Sequence, residues 1–174
     1  MTTYKETLSR LLAEKINSKP ETIYIGQQIV YPGNPMSTTI SSIDTDRMIE
    51  TPVMEETQMG MTLGLAMMDK FVVSLYPRWD FLISAANQLV NHVDKYELMT
   101  GKKVNILIRV GKGSDVPLDP GHQHKANYIE EFSSMCKHIK FHNLTDKEKI
   151  EPAINEAAQG GIHILVEYPQ LYND

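Results

Sequence analysis

Strand-length apolar runs alternate with helix-length segments along the whole chain, and this order of elements is what most restricts the fold. Residues 22–26 (TIYIG), 71–75, 104–109 (VNILIR) and 162–167 (IHILVE) read as short strands, and 47–50 and 138–141 as weaker ones. The run at 104–109 lacks the in–out alternation of a half-exposed strand, as expected of a strand covered on both faces in a parallel sheet. Helical patterns separate these runs. Leu8, Leu11, Leu12 and Ile16 share one face of a helix over 4–17, which Lys19-Pro20 stops. Residues 56–70 (ETQMGMTLGLAMMDK) are apolar almost all round, so the spacing predicts a buried helix, and its Gly60 and Gly64 let another backbone come close. Residues 80–99 read as one long amphipathic helix with Gly101 as its C-terminal cap, and 127–135 and 146–158 as further helices. Two loops are marked by Pro32, Gly33, Asn34 and Pro35 in 31–46 and by Pro117 and Pro120 in 111–123. The alternation predicts one α/β domain over 1–174, a three-layer, mostly parallel open sheet with helices on both faces. Ligands of such sheets bind beyond the carboxyl ends of the strands. The ends at Glu50, Leu75, Arg109 and Glu167 are therefore where a site is expected.

Composition excludes several function classes. A chain of 174 residues that is 41% hydrophobic can bury a substantial core. Its net charge of −5 and lack of a Lys/Arg run argue against a nucleic-acid partner. No apolar stretch approaches the roughly 20 residues of a membrane span, and the opening MTTYKETLSRLLAEK has no apolar signal core. The single cysteine, Cys136, leaves no internal disulfide and fits a reducing cytoplasm. It reads as a half-buried thiol beside Met135. Met54, Met59, Met61, Met67 and Met68 read as adaptable packing against a partner helix.

Four stretches, in order, resemble the beta subunits of pyruvate and branched-chain 2-oxo-acid dehydrogenases. They are Thr51-Pro-Val-Met-Glu55 with Gly60 and Gly64-Leu-Ala66; Trp79-Asp-Phe81 with Asn87-Gln88, Asn91 and Lys95; Ile108-Arg109 with Gly113 and Gln123-His124; and Val166-Glu167 with Leu171-Tyr172. Tyr4-Lys-Glu-Thr-Leu8 fits the first helix of that family. The resemblance implies a thiamine-diphosphate pyrimidine-binding domain, in which Glu55 hydrogen-bonds a ring nitrogen of the aminopyrimidine and favours its imino tautomer. It further implies that Phe81 stacks on the pyrimidine, that Trp79 belongs to the same cofactor-binding segment, and that His124 is the active-site loop histidine. The activity implied is decarboxylation of a 2-oxo acid with transfer of the acyl or aldehyde unit.

The sequence departs from that family in places. Lys125 follows the loop histidine where the family has Ser, and Gln27-Gln28 follows Gly26 where the family has an acid. Asp69 replaces a glycine, and Tyr76-Pro77-Arg78 brings a cation near the expected ligand. Arg78 and Lys125 suit either an anionic substrate or a solvated surface. No Gly-Asp-Gly stretch with a following Asn is present to hold magnesium and the diphosphate. The resemblance thus implies an alpha-type partner chain carrying magnesium and that half of the site, in a hetero-oligomer built as a dimer of heterodimers. The resemblance stops before the family's second α/β domain, so the expectation is a pyrimidine-binding domain standing alone. Two other readings stay open, a degenerate interaction or regulatory subunit and one half of a split transketolase.

Taken residue by residue, the bland alternatives also stand. Glu55 could be a surface acid at a helix start, a role Glu56 fits better. Phe81 could be a core aromatic, and His124 a loop histidine paired with His122. A metal on those two would need further ligands that the sequence does not supply. Arg109 reads as a strand-end ion pair before it reads as a substrate ligand.

Overall fold

The computed structural model describes residues 2–31, 33–116 and 119–174. Pro32 and Pro117, read above as loop residues, lie outside them. Strands β1 (Thr22–Gly26), β2 (Met48–Glu50), β3 (Phe71–Tyr76), β4 (Asn105–Gly111), β5 (Lys140–Asn143) and β6 (Ile162–Glu167) form one sheet in the order β2-β1-β3-β4-β6-β5. Every neighbouring pair is parallel. All carboxyl ends therefore lie on one edge. The chain order reverses between β1 and β3, which opens a crevice there.

Alternate side chains of each strand feed opposite cores, as the two-residue repeat requires. Tyr24, Val73, Leu75, Leu107 and Leu165 face one layer of helices, α1 (Tyr4–Leu11) and α6 (Ile150–Ala157). Ile25, Val72, Ile106, Ile108 and Ile164 face the other, made of α2 (Glu55–Met67), α3 (Trp79–Leu82), α4 (Tyr96–Thr100) and α5 (Ile129–Met135). Helix α1 opens with a capping box, in which Thr3 Oγ1 accepts from Glu6 N at 3.1 Å and Thr3 N donates to the Glu6 carboxylate at 2.8 Å. Cys136 is buried, and burial pushes its thiol up to about 12, which makes it a core residue. Among the described residues no helix is long and apolar enough to cross a membrane.

Two helical expectations need correction. The helix expected over 80–99 is broken into α3, a 3-10 turn at Ile83–Ala85, a π turn at Gln88–Val93, and α4. The wide π turn, with Asp94 N donating to Leu89 O, turns the Asp94 side chain inward. There it is buried and accepts from His138 N at 2.8 Å, a bond to a distant segment that a regular helix would not reach. The second correction concerns α2, which was expected to be buried all round. It buries only the stripe Glu55, Gln58, Met59, Thr62 and Ala66. Gly60 and Gly64 face open space, beside exposed Met61 and Met67.

That buried stripe is partly polar. Gln58 Nε2 donates to Ser74 Oγ at 3.1 Å and to Leu75 O at 3.0 Å, and Thr62 Oγ1 lies 3.0 Å from Ser74 Oγ. These bonds key α2 against β3 in one rotation, which fixes where its first residue points.

A second polar group lies within the core. Arg109 and Glu167 are both fully buried and meet as a fork, Nε to Oε1 at 2.5 Å and Nη2 to Oε2 at 2.8 Å. Thr39 Oγ1 accepts from Nη2 at 2.7 Å, and Tyr172 Oη donates to Glu167 at 2.7 Å. Arg109 is thus the ion-pair residue of the sequence reading.

Two predictions follow from these buried groups. Removing one partner of a buried ion pair strands the other, so Glu167→Ala should lower the unfolding free energy by about 3–5 kcal/mol in urea titrations. His142 and His163 stack with Nε2 and Nδ1 2.9 Å apart, and burial holds both imidazoles below the ordinary 6.5. A depressed imidazole stabilises the fold fully above its unfolded value and loses that contribution as pH falls through 6.5. The urea midpoint should therefore drop on acidification below pH 6.5, and drop less steeply in His142→Phe.

Candidate cofactor site at the carboxyl ends of the strands

The site starts from the turn after β1. The Glu50 carboxylate, at the end of β2, accepts from three successive backbone amides: Gln28 N at 2.5 Å, Ile29 N at 2.9 Å and Val30 N at 2.8 Å. This grip holds Gln28 at φ 55°, a conformation that costs a non-glycine residue about 1 kcal/mol or more. The preceding Gln27 then reaches across the crevice, and its Nε2 donates to Glu55 Oε1 at 3.0 Å.

Glu55 is the first residue of α2 and only 8% exposed, and its carbonyl accepts from Tyr76 Oη at 3.3 Å. Glu56 is exposed and accepts from Asn87 at 3.4 Å. The two adjacent acids therefore divide the roles left open by the sequence. Glu56 is the solvated acid at the helix start, and Glu55 is the buried one.

After β3, the chain passes Pro77 and Arg78 into α3, which presents Phe81. The Phe81 ring lies 5.8 Å from the ring of His124, tilted by 40°. His124 Nδ1 in turn lies 3.6 Å from Asp80 Oδ2. Two glycines allow this gathering. A Cβ on Gly113 would lie 1.8 Å from the His124 carbonyl oxygen, and one on Gly111 would lie 2.3 Å from that of Pro77. Only glycine lets the loops after β3 and β4 come this close.

A cavity of about 270 Å³ opens between these loops, with Gln27, Gln28, Asn34, Arg78, Phe81, Lys112 and Ser114 in its wall. Arg78 and Lys112 give the wall two positive charges, and among the described residues no carboxylate lines it. That local sign opposes the −5 of the whole chain. Glu55 lies behind Gln27 and not in the wall itself.

Two solved structures share this architecture. A split-gene transketolase, solved as an inactive β4 tetramer, superposes with a TM-score of 0.74 at 14% identity over 98% of this chain and 52% of that one. A transketolase from Pichia stipitis in complex with sedoheptulose 7-phosphate gives 0.73 at 16% identity, over 99% of this chain and 26% of that one. The fold is transketolase-like.

In sequence, the chain is 25% identical over 138 residues to the mitochondrial pyruvate dehydrogenase E1 component subunit beta of Chaetomium thermophilum, covering 76% of this chain and 36% of that relative. The chain thus spans about a third of that relative's length. No protein-family profile matches it.

Within this transketolase-like domain the remaining candidates sort by burial. Trp79 is fully buried, stacked on Phe132 at 5.5 Å and edge-on to Tyr128 at 6.4 Å, so it supports Phe81 from the core and does not line the cavity. Lys125 is held by Asp115 and by Asp119, the latter at 2.8 Å, and staples the loop that carries His124. His122 is exposed. Among the described residues no group of His, Cys, Asp and Glu has the arrangement of a metal site. Asp80 is the residue sequence reasoning missed. Its only signal was its place between Trp79 and Phe81 in a quoted motif.

Gly113→Ala should force the 122–125 segment away from β4 and lower stability by about 1–3 kcal/mol. Hydrogen exchange should show lost protection at 122–125, and unchanged exchange there would contradict the close approach.

Proposed function

We propose that this domain is the pyrimidine-binding, beta-type half of a two-chain thiamine-diphosphate enzyme acting on a 2-oxo acid. The observation that carries this reading is the buried Glu55 at the start of α2, paired with Gln27 and set beside a cavity that holds Phe81. These groups fit the aminopyrimidine half of the cofactor, which needs a carboxylate shielded from water and an aromatic face. When bound, thiamine diphosphate supplies the carbon nucleophile and the electron sink for decarboxylation. In this chain Glu55 would hydrogen-bond the pyrimidine, Phe81 would offer its ring for stacking, and His124 stands on the loop after β4 whose start lines the wall.

Gln27 stands where the family has an acid. Where an acid would set a second negative charge beside Glu55, the neutral amide donates a hydrogen bond to it. Arg78 and Lys112 favour an anionic substrate, while Lys125 is already neutralised by its two aspartates.

The partner in this reading is an alpha-type chain that brings the diphosphate and magnesium ligands, assembled with this one as a dimer of heterodimers. The open face of α2, with Gly60, Gly64, Met61 and Met67, is where it would pack, because glycines admit a close backbone and methionines adapt to it. A split transketolase is the second reading, favoured by the superposition on a split-gene transketolase.

The test reconstitutes the chain with a partner bearing the Gly-Asp-Gly and Asn segment, adds thiamine diphosphate, magnesium and pyruvate, and follows carbon dioxide. Turnover is expected, and Glu55→Gln should reduce kcat by about 10²–10⁴-fold. Turnover of a ketose phosphate and not of 2-oxo acids would assign the chain to the split transketolase reading. Unchanged turnover in Glu55→Gln would remove Glu55 from the mechanism.

A further inference from the structure

The contact between Asp80 and His124 is unlike the other polar contacts of the site. Asp80 Oδ2 and His124 Nδ1 are both buried, neither has a hydrogen-bond partner among the described residues, and they face one another across 3.6 Å. Buried polar atoms are almost always paired, so two orphans aimed at each other mark a contact one small side-chain rotation from closing. The rest of the ring is not enclosed in this way, because the His124 side chain is 33% exposed and Nε2 is not among the buried orphans.

Local structure does not account for Asp80. Although it lies in the first turn of α3, that helix start has no side-chain cap, and Asp80 accepts no backbone hydrogen bond among the described residues. Lys125, the cation next to His124, is held by Asp115 and Asp119. Of the described acids, Asp80 is the one that meets His124. The ring is fixed from two other directions. Phe81 lies 5.8 Å from it, and Gly113 admits its backbone onto the β4 loop.

We infer that Asp80 is a positioning residue that holds neutral His124 as its Nδ1–H tautomer and leaves Nε2 as a lone-pair acceptor on the open side of the loop. A free neutral imidazole prefers the opposite tautomer. A buried carboxylate on one ring nitrogen reverses that preference and frees the other nitrogen for proton transfer. His124 Nε2 can then take a proton, with the imidazolium charge stabilised by the Asp80 carboxylate, and return it from the same atom. The role of His124 in catalysis rests on the function proposed above, but the tautomer does not.

The measurement is a long-range proton–nitrogen correlation spectrum of the full chain labelled with ¹⁵N-histidine, recorded above the titration range of its histidines. The wild type should show His124 as Nδ1–H, Asp80→Ala as Nε2–H, and Asp80→Asn, which keeps an oxygen acceptor, as Nδ1–H again. A wild-type Nε2–H tautomer overturns the inference without any need for a variant to fold. A folded Asp80→Ala that stays Nδ1–H overturns it equally. In the reconstituted pair, Asp80→Ala should lower kcat about 10²-fold with KM little changed. If the pair turns nothing over while the tautomers come out as stated, the enzyme reading fails and the role of Asp80 stands.

Discussion

A guanidinium with no access to water organises the carboxyl edge of the sheet from which this site is built. Arg109 cannot lose its charge and is fully buried at the end of β4, so the chain must bring a carboxylate and further acceptors to it. Glu167 and Thr39 accept from it, Tyr172 in turn donates to Glu167, and the segments that carry these residues lead to the walls of the cavity. Thr39 closes the 3-10 turn that starts at Pro35, Glu167 leads into Pro169, and Arg109 itself leads through Gly111 to Lys112 and Gly113. The pair contributes order more than net stability, since a well-packed apolar replacement can equal such a pair. Its geometric consequence is that three distant parts of the sequence meet near the carboxyl end of β4.

A second carboxylate does the same for the remaining wall. Glu50 binds the amides of the turn after β1 as an anion would bind at a nest of backbone donors. The energy of those charge-assisted bonds sustains the left-handed Gln28 and sets the reach of Gln27. The polar key of Gln58 into β3 fixes the other side of that bond by fixing α2. Glu55 is therefore located by two independent devices, one acting on its carboxylate through Gln27 and the other on its helix through Gln58.

The alternation of strand and helix was legible because it depends on local periodicity, and so was the edge on which a site would form. Glu55, Phe81 and His124 were legible only through motif order, and the choice between Glu55 and Glu56 needed the burial that α2 packing imposes. Features set by long-range contact were not readable. The π turn that breaks the helix over 80–99 ends at Asp94, whose bond to His138 comes from a distant segment. The meeting of Asp80 with His124 depends on the absence of a side chain at Gly113. The apolar character of 56–70 was read as burial within the fold. Composition alone does not separate a side facing the core from a side facing outward.

That outward side of α2 has a thermodynamic consequence for the isolated chain. Val53, Met54, Met61, Met67 and Met68 all stand exposed on or beside this helix, a concentration of apolar surface that water does not favour. A partner that covered it would bind the native state and not the unfolded one, so the melting temperature would become a function of that partner's concentration. A melting curve of the lone domain then measures a floor. Chain left uncovered would carry a surface prone to self-association, so its stability and its solubility would depend on the same patch.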